Sequence, residues 1–186
     1  MKAGHVLSLA LLAAATAPGS AAGTEQENRP EVVVKTDLGS FTIGLLPSLA
    51  PTHVRRFIKA VRAGDYDHTT FHRIIPGRVI EGGDPISKDV SRTSEYGRGG
   101  MSQFSIEHSD RSFTRGTVVA VRCPSDRQTD GVQFFVLLAN APELGAQYTA
   151  FGEVVSGMEA VDAIGAAGTV LGQPRQRIEM LLSVVP

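Results

Sequence analysis

Between residues 31 and 185 most hydrophobic positions fall in short runs bounded by turn residues, and two stretches follow the helical period instead. Glu31–Thr36 is rich in β-branched residues, Asp37–Ser40 is a turn, and Phe41–Leu46 alternates on the way back, which predicts a hairpin. From Pro51 to about Ala63, Val54, Phe57, Ile58 and Val61 keep the i, i+3, i+4, i+7 spacing, with Arg55, Arg56, Lys59 and Arg62 off that stripe. This predicts an amphipathic helix stopped at Gly64. Phe71–Ile75 and Arg78–Glu81 read as strands around Pro76-Gly77. Gly116–Val121, Val132–Leu138, Phe151–Val155 and Glu179–Val185 read as further strands, and Met158–Ile164 as a second short helix. Val132–Leu138 is apolar on both faces except at Gln133, so both of its faces are expected to be covered. Residues 86–102 and 122–131 are polar and loop-like, and the length of the first argues for a covering or functional loop. About eight strands and two helices suit a sandwich or a closed barrel with a helix at each mouth.

The first residues change the picture of where the protein works. A weakly basic start is followed by an apolar run from Val6 to Ala15, too short to span a bilayer as a helix. Ala17-Pro18-Gly19 breaks the run, and Ser20-Ala21-Ala22 supplies small residues for a signal peptidase. The expectation is a secretory signal peptide over residues 1–22, a polar flexible linker over 23–30 and one folded domain over 31–186. This implies a periplasmic or secreted protein, with no membrane insertion once the leader is removed. The 186 residues carry 42% hydrophobic and 20% charged side chains and a net charge of -1, so nothing points to nucleic acid or an anionic membrane surface. Cys123 is the single cysteine, so the domain has no internal disulfide and relies on its core. Arg122, Pro124 and Ser125 beside it do not specify a nucleophile.

Chemistry concentrates around Arg73. In a regular strand Phe71, Arg73 and Ile75 share a face, which puts a guanidinium among apolar side chains. Such a group needs partners, either as a salt-bridged edge residue or as an arginine aimed into a pocket. The rest of the chain decides between these. Phe71-His72-Arg73-Ile74-Ile75-Pro76-Gly77 followed by Gly82-Gly83-Asp84-Pro85 resembles the signature of cyclophilin-type peptidyl-prolyl cis-trans isomerases. Thr114–Val118, Gln133–Val136 and Phe151–Met158 match the same family in order and spacing. Arg122 and Tyr148, together with the leader, resemble its bacterial periplasmic branch.

The resemblance implies a mainly β fold, a closed eight-stranded antiparallel barrel capped by two α-helices, with a binding groove on the outer barrel face. It implies a monomer that takes proline-containing polypeptides and uses no metal or cofactor. It implies Arg73 as the catalytic donor and Val79, Phe135 and Leu144 as the lining of a proline pocket. Gln133 holds the substrate backbone, and Tyr148 stands where many members have histidine. Phe71, His72, Glu81, Val121 and Arg122 complete the expected substrate-binding surface. Without the resemblance, Phe135 and Leu144 read as ordinary core residues.

The chain departs from the family pattern at Arg78 and Glu143, where aromatic residues are usual, and at Glu81, where glutamine is usual. Two pairings are open: Glu81 with Arg73, or Glu81 with Arg78, which leaves Arg73 free. These departures imply an isomerase of reduced or altered activity that binds cyclosporin-type ligands weakly. The alternative is a barrel that holds proline-containing segments without turning them over.

Overall fold

The structure is a computed structural model that describes residues 29–100, 104–108, 110–122 and 128–186. The expected signal peptide, most of the expected linker and Cys123 lie outside these residues. The hairpin is β1 (Glu31–Thr36) and β2 (Gly39–Leu45), followed by α1 (Pro51–Arg62). Then come β3 (Phe71–Ile75), β4 (Val79–Gly82), a two-residue β5 (Phe104–Ser105), β6 (Thr117–Arg122) and β7 (Gln128–Leu137). β8 (Ala150–Ser156), α2 (Met158–Gly165), the small β9–β10 hairpin (Thr169–Val170, Gln173–Pro174) and β11 (Leu181–Val184) complete the chain. Residues 86–95 are less irregular than their polarity suggests, because 3-10 turns at Pro85–Lys88 and Val90–Glu95 organise them. β7 starts four residues earlier than its apolar run, since pairing with β5 and β6 carries the polar residues Gln128 and Thr129 into the sheet.

The main sheet runs β11-β1-β2-β8-β6-β7-β4-β3, every neighbour antiparallel, with β5 added to β7. It curls around one core but does not close, which corrects the expected closed barrel. Its end strands β3 and β11 form no ladder. At the seam the chain makes an isolated bridge between Thr70 and Glu179. Around it, Phe71 N–H donates to Ile178 O at 3.0 Å and Met180 N–H to Thr69 O at 2.9 Å. Contact this brief closes the seam locally without adding a strand pair, so the sheet is an open half-barrel.

The concave side holds the main core. Phe57 of α1 packs against Tyr66, Phe134 and Phe151 with ring centroids 5.2, 5.8 and 5.1 Å apart, and Phe71 against Phe41 and Phe134 at 6.3 and 6.2 Å. Offset and edge-on aromatic pairs at such spacings add about 0.5–1.5 kcal/mol each beyond the area they bury. α2 contributes Ala160, Val161 and Ile164 from the other end. Gly157 leads into α2 with a φ of 78°, and a Cβ there would stand 2.3 Å from Ser40 O, so only glycine fits. A second, smaller cluster lies on the convex side of β6 and β7: Phe113, Val119, Phe135, Leu137, Ala141 and Ala150. Phe134 and Val136 belong to the first cluster and Phe135 and Leu137 to the second, so β7 is apolar on both faces because it separates two cores.

Candidate functional site

Strand register builds the site. Arg73 on β3 faces Glu81 on β4, Glu81 faces Phe135 on β7, Phe135 faces Val119 on β6, and Val119 faces Ala150 on β8. This single row crosses five strands on the convex face, with the charged pair at one end and the apolar cluster at the other. Val79, two residues before Glu81 and paired with Leu137, lies on the same face. The 3-10 turn Pro142–Gln147 brings Leu144 against the cluster, and Val121 and Tyr148 pack there too. Tyr148 meets the Phe135 ring edge-on at 5.7 Å and 86°. Arg122 reaches Gln147 Oε1 at 3.4 Å and lies 5.7 Å from the centre of the Tyr148 ring. The outcome is an apolar cup of Val79, Phe135, Leu144 and Tyr148 packed with the buried Phe113, with Arg73 along the strand row and Arg122 beside Tyr148.

β3 is not the regular strand that its alternation predicts. The register slips between Phe71 and Arg73: Phe71 pairs with Gly82 while Arg73 pairs with the adjacent Glu81. This bulge at His72 turns Phe71 inward, where it is 1% exposed among the core rings. Phe71 therefore does not share a face with Arg73 and does not line the groove, which corrects the sequence expectation. His72 is also buried, 4% exposed, behind Glu81. Gln133 is buried beside the row and donates from Nε2 to Gly97 O at 3.4 Å, tying the wall formed by the turn at Gly97 to β7.

Arg73 Nη1 donates to Glu81 Oε2 at 2.7 Å, so the first of the two open pairings is the one formed. The Arg73 side chain is 52% exposed and Glu81 only 12%. His72 Nε2 lies 3.6 Å from the other carboxylate oxygen, longer than a hydrogen bond. Burial works against the Glu81 charge, but His72 and Arg73 beside it outweigh burial and hold the carboxyl below its ordinary value. Arg78 turns away from Glu81: its Nη2 donates to Glu143 Oε1 at 3.2 Å, with both side chains exposed. The two charges that replace aromatic residues at the rim thus pair with each other.

Of the residues expected from the sequence, the fold places Arg73, Glu81, Val79, Phe135, Leu144, Tyr148, Val121, Arg122 and Gln133 along or beside this row. Sequence reasoning missed Phe113, Val119, Ala141 and Ala150. Phe113 follows no periodic pattern; it is buried in the same cluster, and Ala141 N–H donates to Phe113 O at 2.8 Å.

Residues 31–184 match the family model described as cyclophilin type peptidyl-prolyl cis-trans isomerase. The chain belongs to the cyclophilin family. Against a probable peptidyl-prolyl cis-trans isomerase of Brucella suis this cyclophilin is 37% identical over 150 residues, covering 78% of this chain and 75% of that one. Against a peptidyl-prolyl cis-trans isomerase of Arabidopsis thaliana it is 34% identical over 140 residues, covering 75% and 83%. Among solved structures, a cyclophilin-type isomerase of Cryptosporidium parvum, crystallised in the presence of the dipeptide Ala-Pro, superimposes with a TM-score of 0.75. That match covers 84% of this cyclophilin and 99% of the other chain at 25% identity. The cyclophilin's convex row joins an exposed guanidinium to an apolar cup, and that arrangement can hold a small apolar ring beside a fixed hydrogen-bond donor.

Proposed function

We propose that this cyclophilin accelerates rotation about X-Pro bonds in exported polypeptides and so assists their folding. The observation that carries the reading is the row Arg73–Glu81–Phe135 with the cup around Phe135. Rotation of a peptide bond is opposed by a barrier of about 18–20 kcal/mol, because the nitrogen lone pair is delocalised into the carbonyl. Before proline both isomers are populated, and exchange takes roughly tens to hundreds of seconds. In the twisted state the lone pair is localised on nitrogen and accepts a hydrogen bond. Arg73, permanently charged and half exposed, supplies that donor. The cup of Val79, Phe135, Leu144 and Tyr148 holds the proline ring while the acyl side turns, and Gln133 and Arg122 flank the bound backbone.

A donor stronger toward the twisted state than toward the planar one lowers the barrier, whereas equal binding of both does not. A hydrogen bond from a charged group contributes about 1.5–3 kcal/mol, which gives Arg73 roughly ten- to hundred-fold. Glu81 occupies one Nη1 hydrogen and offsets part of the charge, and the Arg78–Glu143 pair leaves the rim wetter than an aromatic wall would. Both support an isomerase of reduced activity. The apolar run from Val6 to Ala15 with Ser20-Ala21-Ala22 after it supports export, and Arg122 and Tyr148 support the bacterial periplasmic branch.

An NMR exchange assay on short X-Pro peptides tests the activity: micromolar protein is expected to shorten the exchange time, and no change from the uncatalysed rate would sink it. For export, mass spectrometry of protein recovered outside the cytoplasm is expected to find Gly23 as the first residue. Recovery of intact chain from the cytoplasm alone would contradict it.

A further inference from the structure

We propose that His72 is a further positioning residue of this site: acting through Glu81, its protonation state sets how much of the Arg73 charge is left for substrate. The proposal rests on the isomerase reading above. Its basis is the bulge in β3. In a regular strand His72 and Arg73 would point to opposite faces. Here both reach one carboxylate, His72 Nε2 at 3.6 Å from Oε1 and Arg73 Nη1 at 2.7 Å from Oε2. His72 is almost wholly buried and, among the described residues, neither ring nitrogen makes a hydrogen bond. A buried polar ring left in that state is costly unless its charge interacts with something, and Glu81 is the acidic group in contact with it.

The other groups around the imidazole do not compete for this role. Gly97 covers it, and Asp84 in the same loop spends its carboxylate on Gly97 N–H at 2.5 Å and Ile86 N–H at 2.8 Å. Tyr96, Arg175 and Arg177 line the cavity on its far side. Arg177 is committed to Glu179 Oε1 at 2.7 Å, Ser87 O at 2.7 Å, His68 O at 3.0 Å and the Tyr96 hydroxyl at 3.1 Å, and Arg175 is exposed. Gln133, neutral, bonds Gly97 O.

With a neutral imidazole the carboxylate of Glu81 is answered by Arg73 alone, and the pair is electrically neutral. With an imidazolium the same carboxylate is shared by two cations, and the three groups carry one net positive charge. The guanidinium then presents a stronger field to the nitrogen lone pair that develops as the X-Pro bond twists. Glu81 keeps its 2.7 Å ion pair with Arg73, whose charge does not change with pH, in both states. Across the few ångströms separating these groups, one added charge, screened nearly as in bulk water because Arg73 is half exposed, corresponds to about a three- to ten-fold gain in kcat/KM.

The test is kcat/KM by NMR exchange from about pH 5 to about pH 8.5, the range in which an imidazole changes charge. Wild type, His72→Gln and Glu81→Gln are compared. Wild type is expected to gain its three- to ten-fold toward acid in a single-proton step. That step is expected to coincide with the His72 ring titration followed by NMR and to vanish in both variants. A flat wild-type profile while His72 titrates, or a step that survives His72→Gln, overturns the proposal and, in the second case, assigns the step to another group. If His72→Gln does not fold, Glu81→Gln and the ring titration decide alone. In substrate-free wild type the Arg73 guanidinium resonances are expected to follow the His72 titration. If they do so in a protein without turnover, the isomerase reading fails and the coupling stands; if they do not, the coupling fails.

Discussion

Glu81 and Glu143 carry the chemistry that sets this groove apart at the scale of single residues. Glu81 fixes Arg73 by a 2.7 Å ion pair shielded from water on its carboxylate side, while Glu143 meets Arg78 where both are exposed. An exposed pair contributes about 0–1 kcal/mol, so the rim pair is readily broken by a ligand or a substitution. Glu143→Trp is expected to restore an aromatic edge over Leu144 and to raise cyclosporin affinity about ten-fold, the effect of covering roughly 55 Å² more apolar surface at about 25 cal/mol per Å². Calorimetric titration of both proteins checks this, and equal affinities would show that the rim does not limit binding. Arg73 stood out in the sequence as the candidate cation because the residues around it form a long ordered match. Its partner was not legible: Glu81 lies within reach of two arginines along the chain, and only the cross-strand register selects Arg73.

The elements show the same division. The helical spacing of Val54, Phe57 and Val61 was enough to place α1 and its buried face. What holds its N-terminus was invisible, because Ala50 offers no capping side chain and the cap comes from far along the chain. Glu107 accepts the backbone N–H groups of Thr52 and His53, each at 3.0 Å, and bonds the His53 ring, whose Nε2 meets Thr129 Oγ1 at 2.8 Å. A carboxylate at that end also answers the helix dipole. Glu107→Ala is expected to cost about 1–2 kcal/mol in urea unfolding at neutral pH. Burial opposes the Glu107 charge, but His53 and the two backbone donors outweigh it and hold the carboxyl below its ordinary value of 4.5. A carboxyl lowered in the folded state contributes stability above its ordinary value, and that contribution is lost as pH falls through the lowered one. The difference between wild type and Glu107→Ala should therefore be full at neutral pH and shrink below about pH 4; a constant difference down to pH 2.5 (about two units below the ordinary carboxylate range) would contradict the capping role. β3 is the element where pattern reasoning failed, since a bulge leaves no mark on alternation and yet moves Phe71 to the other side of the sheet.

For the whole molecule, fold class and the two-sided covering of β7 were legible, because closely spaced apolar runs leave few ways to bury both faces. Closure was not legible: whether β3 and β11 pair depends on a seam of irregular chain around Thr70 and Glu179. With the sheet open there, cohesion rests on the rings that span the concave side. Phe134 touches Phe57, Tyr66 and Phe71, linking α1, β3 and β7. Phe134→Ala is expected to destabilise the entire domain by about 3–5 kcal/mol in a single unfolding transition. A loss below about 1 kcal/mol, or a separate early transition for β3, would show that the halves hold independently. The convex row lies on a frame whose core sits on the opposite face, so removing Arg73 disturbs no core ring, although it leaves the buried Glu81 carboxylate without its ion-pair partner. The most direct test of the account is kcat/KM on an X-Pro peptide for wild type and Arg73→Ala, with thermal unfolding of both recorded alongside. The account predicts roughly a ten- to hundred-fold loss in Arg73→Ala at a temperature where the unfolding curves show both proteins folded, and equal turnover by the two folded proteins would contradict it.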